Sequence, residues 1–332
     1  MSDDTAEPMD LSKPFIVLLP VFNDWTALQK LLGILDDVSS EHGLAFEVLV
    51  VDDGSTDSPG EGFAEQEFKS FESIQVLRLR RNLGHQRAIA IGLAYVEDRI
   101  PCRAVILMDS DGEDDPRDVP RLLKKYWQES ERKIIFAERT KRSESWLFKV
   151  CYHLFRLFHY LLTSRRVRVG NFSVVPAVRL ASLVVVSEMW NHYAAAVHKS
   201  RQPLALVPAE RARRLEGRSR MGFTNLVIHG LSAISVYSDT IGVRLLVASS
   251  LLIGLTLAGL AGVVAVRLLT DLAIPGWTTF MAGTLLVILF QAIMFSIIFS
   301  FIILGDRQGS TFLPLRDYRY FVGGVKTVYP KR

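Results

Sequence analysis

The sequence predicts an α/β domain on a mostly parallel, doubly wound sheet, followed by a hairpin of two membrane-crossing helices. Three observations carry that expectation. Short apolar runs rich in Val and Ile alternate with helical patterns from residue 15 to residue 210. Two acidic clusters sit directly behind such runs, and two long stretches near the C-terminus carry no charge.

The strands are expected at FIVLLP (15–20), FEVLVVD (46–52), IQVLRL (74–79), AVILMD (104–109) and KIIFAE (133–138). Continuous apolar runs of this kind are what a sheet covered on both faces requires. Between them, TALQKLLGILDDV and RAIAIGLAYVED space their apolar residues as helices do. Ligands of such sheets bind beyond the carboxyl ends of the strands. DDGSTD (52–57) and DSDGEDD (109–115) lie there. Taken alone, DDGSTD also reads as a plain turn, since Asp, Gly, Ser and Thr all favour one. Capping accounts for Asp114, Asp115 and Pro116, which open the helix PRDVPRLLKKYW. It does not account for Asp109 and Asp111. Carboxylates two residues apart at a strand end are hard oxygen ligands suited to Mg2+ or Mn2+, ions that commonly also hold substrate phosphates. A divalent ion bridging a diphosphate is therefore expected among these acids.

Leu245–Val266 and Thr278–Leu304 are uncharged and each exceeds the ~20 residues that span a bilayer core. Arg211, Arg213, Arg214, Arg218 and Arg220 crowd ten residues upstream, and Arg307, Arg316, Arg319, Lys326, Lys331 and Arg332 follow downstream. The link RLLTDLAIPGW holds one basic residue, so both ends are expected in the cytosol. Residues 143–162 set Lys149, His153 and Arg156 on one helical face, which suits a helix lying in the bilayer interface; an amphipathic core helix is the alternative. Residues 224–239 read as a second such segment. The expected division is a tail (1–12), the α/β domain (13–210), a basic loop and juxtamembrane helix (211–240), the hairpin (241–306) and a cytosolic tail (307–332). On this division, cutting before Arg244 should leave a domain that still binds nucleotide.

The acidic, polar start MSDDTAEPMD is unlike a secretory signal. Cys102 and Cys151 have no Cys or His at metal-site spacing and are expected to be reduced packing residues. The net charge of +4 is mild, and no nucleic-acid partner is expected.

LPVFND (19–24), VVDDGSTD (50–57), RNLGHQRAIAIGLAY (81–95), MDSDGEDDP (108–116), AER (137–139), GNFSV (170–174), RRLEGRSRMGF (213–223) and RDYRYFV (316–322) occur in this order around the hairpin. Together they resemble the inverting family 2 glycosyltransferases of the nucleotide-sugar-binding GT-A fold. More narrowly, the sequence is similar to the polyprenyl-phosphate glycosyltransferases, which include dolichyl-phosphate mannose synthase and bacterial undecaprenyl-phosphate sugar transferases. The resemblance implies transfer of one sugar from a nucleotide diphosphate-sugar to a polyprenyl phosphate. It implies the cytosolic leaflet, in a bacterial inner membrane rather than the endoplasmic reticulum, with membrane lipids as partners and a homo-oligomer as the expected state.

Carried over by position, the resemblance implies that Pro20, Asp24 and Asp53 line the base and ribose pocket. Asp109 would hold nucleotide and the metal's water shell, Asp111 would bind the metal, and Glu113 stands where the family has a Gln ligand. Arg139 matches a phosphate-contacting arginine. Arg214, Ser219 and Arg220 match an R-x-x-G-x-S-K segment that closes over the diphosphate, with Arg220 in place of Lys. Arg165, Arg166 and Arg168 are expected to receive the acceptor phosphate. His85, behind an Asn-Leu-Gly turn, is expected at most to touch substrate. Arg168 and Asn171 stand where bacterial relatives carry acids, so a base-catalysed mechanism is not expected. A lipid phosphate, largely dianionic at neutral pH, needs none. Two other readings remain. A membrane polysaccharide synthase usually has more spans and a Q-x-x-R-W motif, which is absent here. A silent nucleotide-sugar-binding scaffold has no need of an intact Asp109/Asp111 pair.

Overall fold

Eight strands form one sheet in the order β7-β5-β6-β4-β1-β2-β3-β8. The structure, a computed structural model, describes residues 13–60, 63, 66–139, 160, 162–163, 169–216, 230–270, 274–308 and 312–330. Strands β1 (Phe15–Val21), β2 (Phe46–Asp52), β3 (Phe71–Leu79), β4 (Ala104–Leu107) and β5 (Ile134–Arg139) form where the apolar runs predict them. β1 pairs in parallel with β2 and β4, and β2 with β3.

Alternation along β1 serves two cores. Phe15, Val17, Leu19 and Val21 pack with α1 (Trp25–Glu41) and α3 (Val119–Gln128). Ile16 and Leu18 pack with α2 (His85–Arg99), α4 (Ala177–Leu183) and α5 (Tyr193–Lys199). Helix α1 presents Leu28, Leu31, Leu32 and Leu35 at the i, i+3, i+4, i+7 positions, all fully buried. This is the doubly wound architecture the sequence predicts. Because β2 and β4 flank β1 on opposite sides, the strand order reverses between β1 and β4, where such sheets open a ligand crevice.

Two further strands, β6 (Val169–Pro176) and β7 (Leu204–Ala209), lie outside the expected runs. β6 is antiparallel to both β4 and β5, which makes the sheet mixed. β7 forms one edge, where Pro208 is tolerated because no neighbour needs its missing N–H.

The C-terminal segment is the clear correction. Residues 307–332, expected as a tail, instead include α8 (Pro314–Asp317) and β8 (Val322–Tyr329), which pairs antiparallel with β3. Tyr318 donates its hydroxyl to Asp98 at 2.5 Å, and Tyr329 donates to the Phe68 carbonyl at 2.9 Å. An edge strand with two glycines and an exposed outer row shows no apolar run, which is why it reads as a tail. The compact α/β unit thus comprises residues 1–149, 167–236 and 311–332.

The second unit, residues 150–166 and 237–310, contains α6 (Ser238–Leu269) and α7 (Trp277–Gln308). Both are long and apolar enough to cross a membrane. On α6 the buried positions Gly242, Ser249, Thr256 and Val263 recur every seven residues. A Cβ on Gly242 would come within 2.7 Å of Ile303, and the Ser249 and Ser296 hydroxyls meet at 2.7 Å. Small residues therefore let the two backbones approach closely. The interfacial segment expected at 143–162 falls outside the described residues apart from 160 and 162, as do residues 224–229 of that expected at 224–239, whose remainder is helical over 230–235.

Candidate active site at the strand ends

Three loops meet beyond the carboxyl ends of β1, β2 and β4. The first two are laced together by Asn23. Its backbone N–H donates to Ser55 Oγ at 2.9 Å, and its Oδ1 accepts from the backbone N–H groups of Thr56 and Asp57 at 2.8 and 3.0 Å. Asn23 takes a positive φ of 53°, a conformation Asn tolerates better than most residues. Gly54 has φ +71°, and a Cβ there would lie 2.6 Å from the Arg81 carbonyl carbon, so any side chain would drive the loops apart. Asp53 accepts from the backbone N–H groups of Leu83 and Gly84, both at 2.8 Å, one on each oxygen. Burial raises its pKa above the ordinary carboxylate value, opposed by those two bonds. Expected as a nucleotide ligand, Asp53 also has this architectural task of tying β2 to the start of α2.

Behind β4 the acidic cluster divides only partly as its residue types predict: Asp115 caps forward, Asp114 turns back onto the strand end, and Asp111 Oδ1 itself accepts from the Glu113 backbone N–H at 3.0 Å. Asp115 accepts from the Arg117 backbone N–H at 3.0 Å and caps the turn that Pro116 opens. Asp114 accepts from the backbone N–H of Asp109 at 3.0 Å. Gly112, at φ +81°, makes the turn between them.

Arginines supply the positive charge that this cluster requires, and a histidine lies against it. Arg214 donates through Nη1 to Asp111 Oδ2 at 3.0 Å and through Nη2 to Asp24 Oδ2. Arg211 pairs with Glu113. The segment is docked by its backbone too: Ala212 and Leu215 donate to the carbonyls of Glu113 and Asp111, both at 3.0 Å. Lys30 on α1 anchors its far end through Glu216. Burial, then the charge of Asp109, raises the Asp111 pKa, with Arg214, Arg211 and His85 opposing. His85 lies 3.0 Å from Asp109 Oδ1 through Nε2. Desolvation lowers its pKa, but Asp109, with Asp111 and Asp114 behind it, outweighs that and leaves it raised.

The structure thus brings together Asp24, Asp109, Asp111 and Arg214 of the expected set, with Pro20 on β1 below them. Glu113 is engaged by Arg211, and among the described residues no three acidic, His or Cys side chains gather as a metal cage. Asp111, with the Asp109 carboxylate near enough to raise its pKa, makes a pair that fits Mg2+ or Mn2+ of the kind completed by substrate phosphates and water. Ser219, Arg220, Arg165, Arg166 and Arg168 lie outside the described residues. Arg139 is placed only by its backbone, at the end of β5. Sequence reasoning gave Asn23 and Gln86 no role and read Arg211 only as one of a basic cluster, not as the partner of Glu113; the one signal for Asn23 was Asn's tolerance of positive φ.

The family model for glycosyl transferase family 2 matches residues 16–181, half of the chain, and covers both acidic strand ends. The chain belongs to this family. Among solved structures, the glycosyltransferase is similar to glucosyl-3-phosphoglycerate synthase from Mycobacterium tuberculosis, crystallised with Mn2+, uridine diphosphate and glucosyl-3-phosphoglycerate. Identity is 15%, TM-score 0.50, over 70% of this chain and 81% of that one. Mannosyl-3-phosphoglycerate synthase from Rubrobacter xylanophilus matches at 15% identity and TM-score 0.49, over 69% and 74%. The S. aureus TarS 1–349 structure matches at 15% and 0.39, over 60% of this chain and 59% of that one. At such identities the likeness is one of fold, and it is the GT-A-like fold expected from sequence.

Proposed function

We propose that this glycosyltransferase moves one sugar, with inversion, from a nucleoside diphosphate-sugar to a polyprenyl phosphate at the cytosolic membrane face. The observation that carries the reading is the Asp109/Asp111 pair beneath the Arg214 clamp, in a chain that also carries two membrane-length apolar helices. Asp24 and Asp53 stand at the ends of the central strands, where the base and ribose of a donor are received. Asp109 and Asp111 would hold Mg2+ or Mn2+, which supplies charge neutralisation to the departing diphosphate. Arg214 offers its remaining donor capacity to the same phosphates as negative charge builds on them.

The reaction needs no protein base. An acceptor phosphate oxygen attacks the anomeric carbon, and the bond to the diphosphate breaks on the opposite face. The leaving nucleoside diphosphate takes the bonding pair, and no proton has to move because the acceptor is already an anion. An amide at Asn171, where an acid would act as a base, is consistent with such an acceptor.

The test is the full chain in lipid vesicles with Mn2+, UDP- and GDP-sugars, and either undecaprenyl phosphate or the free polyprenol, with product read by mass. Sugar-phosphate lipid from the phosphate acceptor alone is expected. Equal transfer to the free alcohol, or transfer only to a soluble acceptor such as 3-phosphoglycerate, would overturn the reading.

A further inference from the structure

One hydrogen-bond path runs from a backbone amide to Asp109, and both of its ends are chemically fixed. At one end, the backbone N–H of Tyr193, at the start of α5, can only donate; it meets Gln86 Oε1 at 2.6 Å. Gln86 must therefore present Nε2 to its other neighbour, Asn171 Oδ1, at 3.2 Å. Asn171 must in turn present Nδ2, which lies 3.3 Å from Asp109 Oδ1. At the far end, an ionised carboxylate can only accept, so the same orientation follows from that side as well. His85 Nε2 lies 3.0 Å from Asp109 Oδ1 and 3.0 Å from Asn171 Nδ2, so it can donate to the carboxylate or accept from the amide, but not both.

The frame around this path is rigid. Asn171 is buried, and Ser173 donates its hydroxyl to the Asn171 carbonyl at 2.9 Å. That leaves the Tyr193 hydroxyl, 2.7 Å away, as donor to Ser173. Tyr193 thus steadies residue 171 twice, through its own ring and through Gln86.

We propose that Gln86 is a positioning residue for the donor site, setting the direction of the Asn171 amide and through it the orientation of the Asp109 carboxylate toward a divalent ion. The proposal rests on the donor-site reading above. Groups that orient a metal ligand are typically worth about 10- to 100-fold in metal affinity. Gln86→Glu is the informative change, because it is isosteric and still accepts from the Tyr193 N–H. It cannot donate to Asn171, so the amide turns and Oδ1 faces Asp109.

The experiment is Mn2+ binding followed by electron paramagnetic resonance on the detergent-solubilised full chain, with UDP or GDP as nucleotide. Wild type, Gln86→Glu, Asn171→Leu and the double variant are compared. The expected result is a loss of about 10-fold or more in Mn2+ affinity for each single variant. The Gln86→Glu effect should disappear in the Asn171→Leu background, because Gln86 acts only through that amide. Affinities within twofold of wild type for the single variants would overturn the proposal, as would a Gln86→Glu effect of the same size in both backgrounds. If Gln86→Glu does not fold, Asn171→Leu alone decides by the same twofold limit. Failure of the wild type to bind Mn2+ with either nucleotide would instead overturn the donor-site reading itself.

Discussion

The α/β unit and the helix pair are built as inversions of one another. In the first, Leu18, Leu32, Val50 and Ile106 are fully buried, and the polar groups at the strand ends are matched donor to acceptor. In the second, the inward positions are small or hydroxylated, Gly242, Ser249 and Thr256, while the large apolar side chains point out. Leu255 is 76% exposed, Phe280 73% and Phe301 69%. Water drives the first arrangement and would penalise the second, because no apolar area is removed from it there. Hydrocarbon inverts the preference: outward Leu and Phe cost nothing, and close backbone approach and hydroxyl pairing hold the helices together. The same residue type therefore has a different value in each unit, and the following predictions test that difference.

The largest effect is chemical and confined to the α/β unit. Asp111→Asn should lower kcat by about 1,000-fold, as should excess chelator, since each removes stabilisation of the leaving diphosphate. Single-turnover rates with the cognate donor measure this; retained activity in chelator would refute the metal assignment.

Next in size is a matched pair of truncations. Leu32→Ala should destabilise the α/β unit by about 2–5 kcal/mol. Leu255→Ala removes the same atoms from an outward position and should leave the thermal midpoint in detergent within the scatter of wild type. Comparable losses for both would show that the helix pair is packed as a soluble core.

A smaller effect lies where the chain returns to the sheet. The Tyr318 hydroxyl, followed by Arg319 and Arg99, holds the Asp98 pKa below its ordinary value despite some desolvation. An unfolded Asp takes up its proton near pH 3.9, the folded one only below that. The unfolded chain therefore binds more protons in this window. The stabilisation is fully present above pH ~4 and lost as pH falls through the depressed folded value. Tyr318→Phe should cost about 1 kcal/mol at neutral pH and flatten the acid limb of the stability profile. Denaturant melts from pH 3 to 7 measure both. For the same reason, a cut before Arg244 is no clean separation of the units: it removes β8, leaves β3 as an open edge, and should give a less stable, aggregation-prone domain.

The smallest effect is expected inside the helix pair. Ser249→Ala removes the hydroxyl contact with Ser296 and should cost about 0.6 kcal/mol in detergent unfolding, because the separated helices find other partners in the same solvent.

The sequence by itself determined the parallel strands β1 to β5, the two long apolar helices and the position of Asp109 and Asp111. Each is written locally, in a run of β-branched residues, an uncharged stretch of bilayer length, or two acids at a strand end ahead of the helix cap. Even the split role of the acidic cluster was legible, because Asp115 and Pro116 are cap chemistry and Asp109 is not. Only the tertiary structure decided what those acids face. Arg214 reaches Asp24 across 190 residues and Asp111 across 103, and Gln86 reaches Asn171 across 85. β8 joins β3 only after the chain has passed through both long helices. Pairings of that span leave no periodic mark, since periodicity records how a residue meets its own helix or strand, whereas partner choice is made by the packing that brings distant loops to one sheet end.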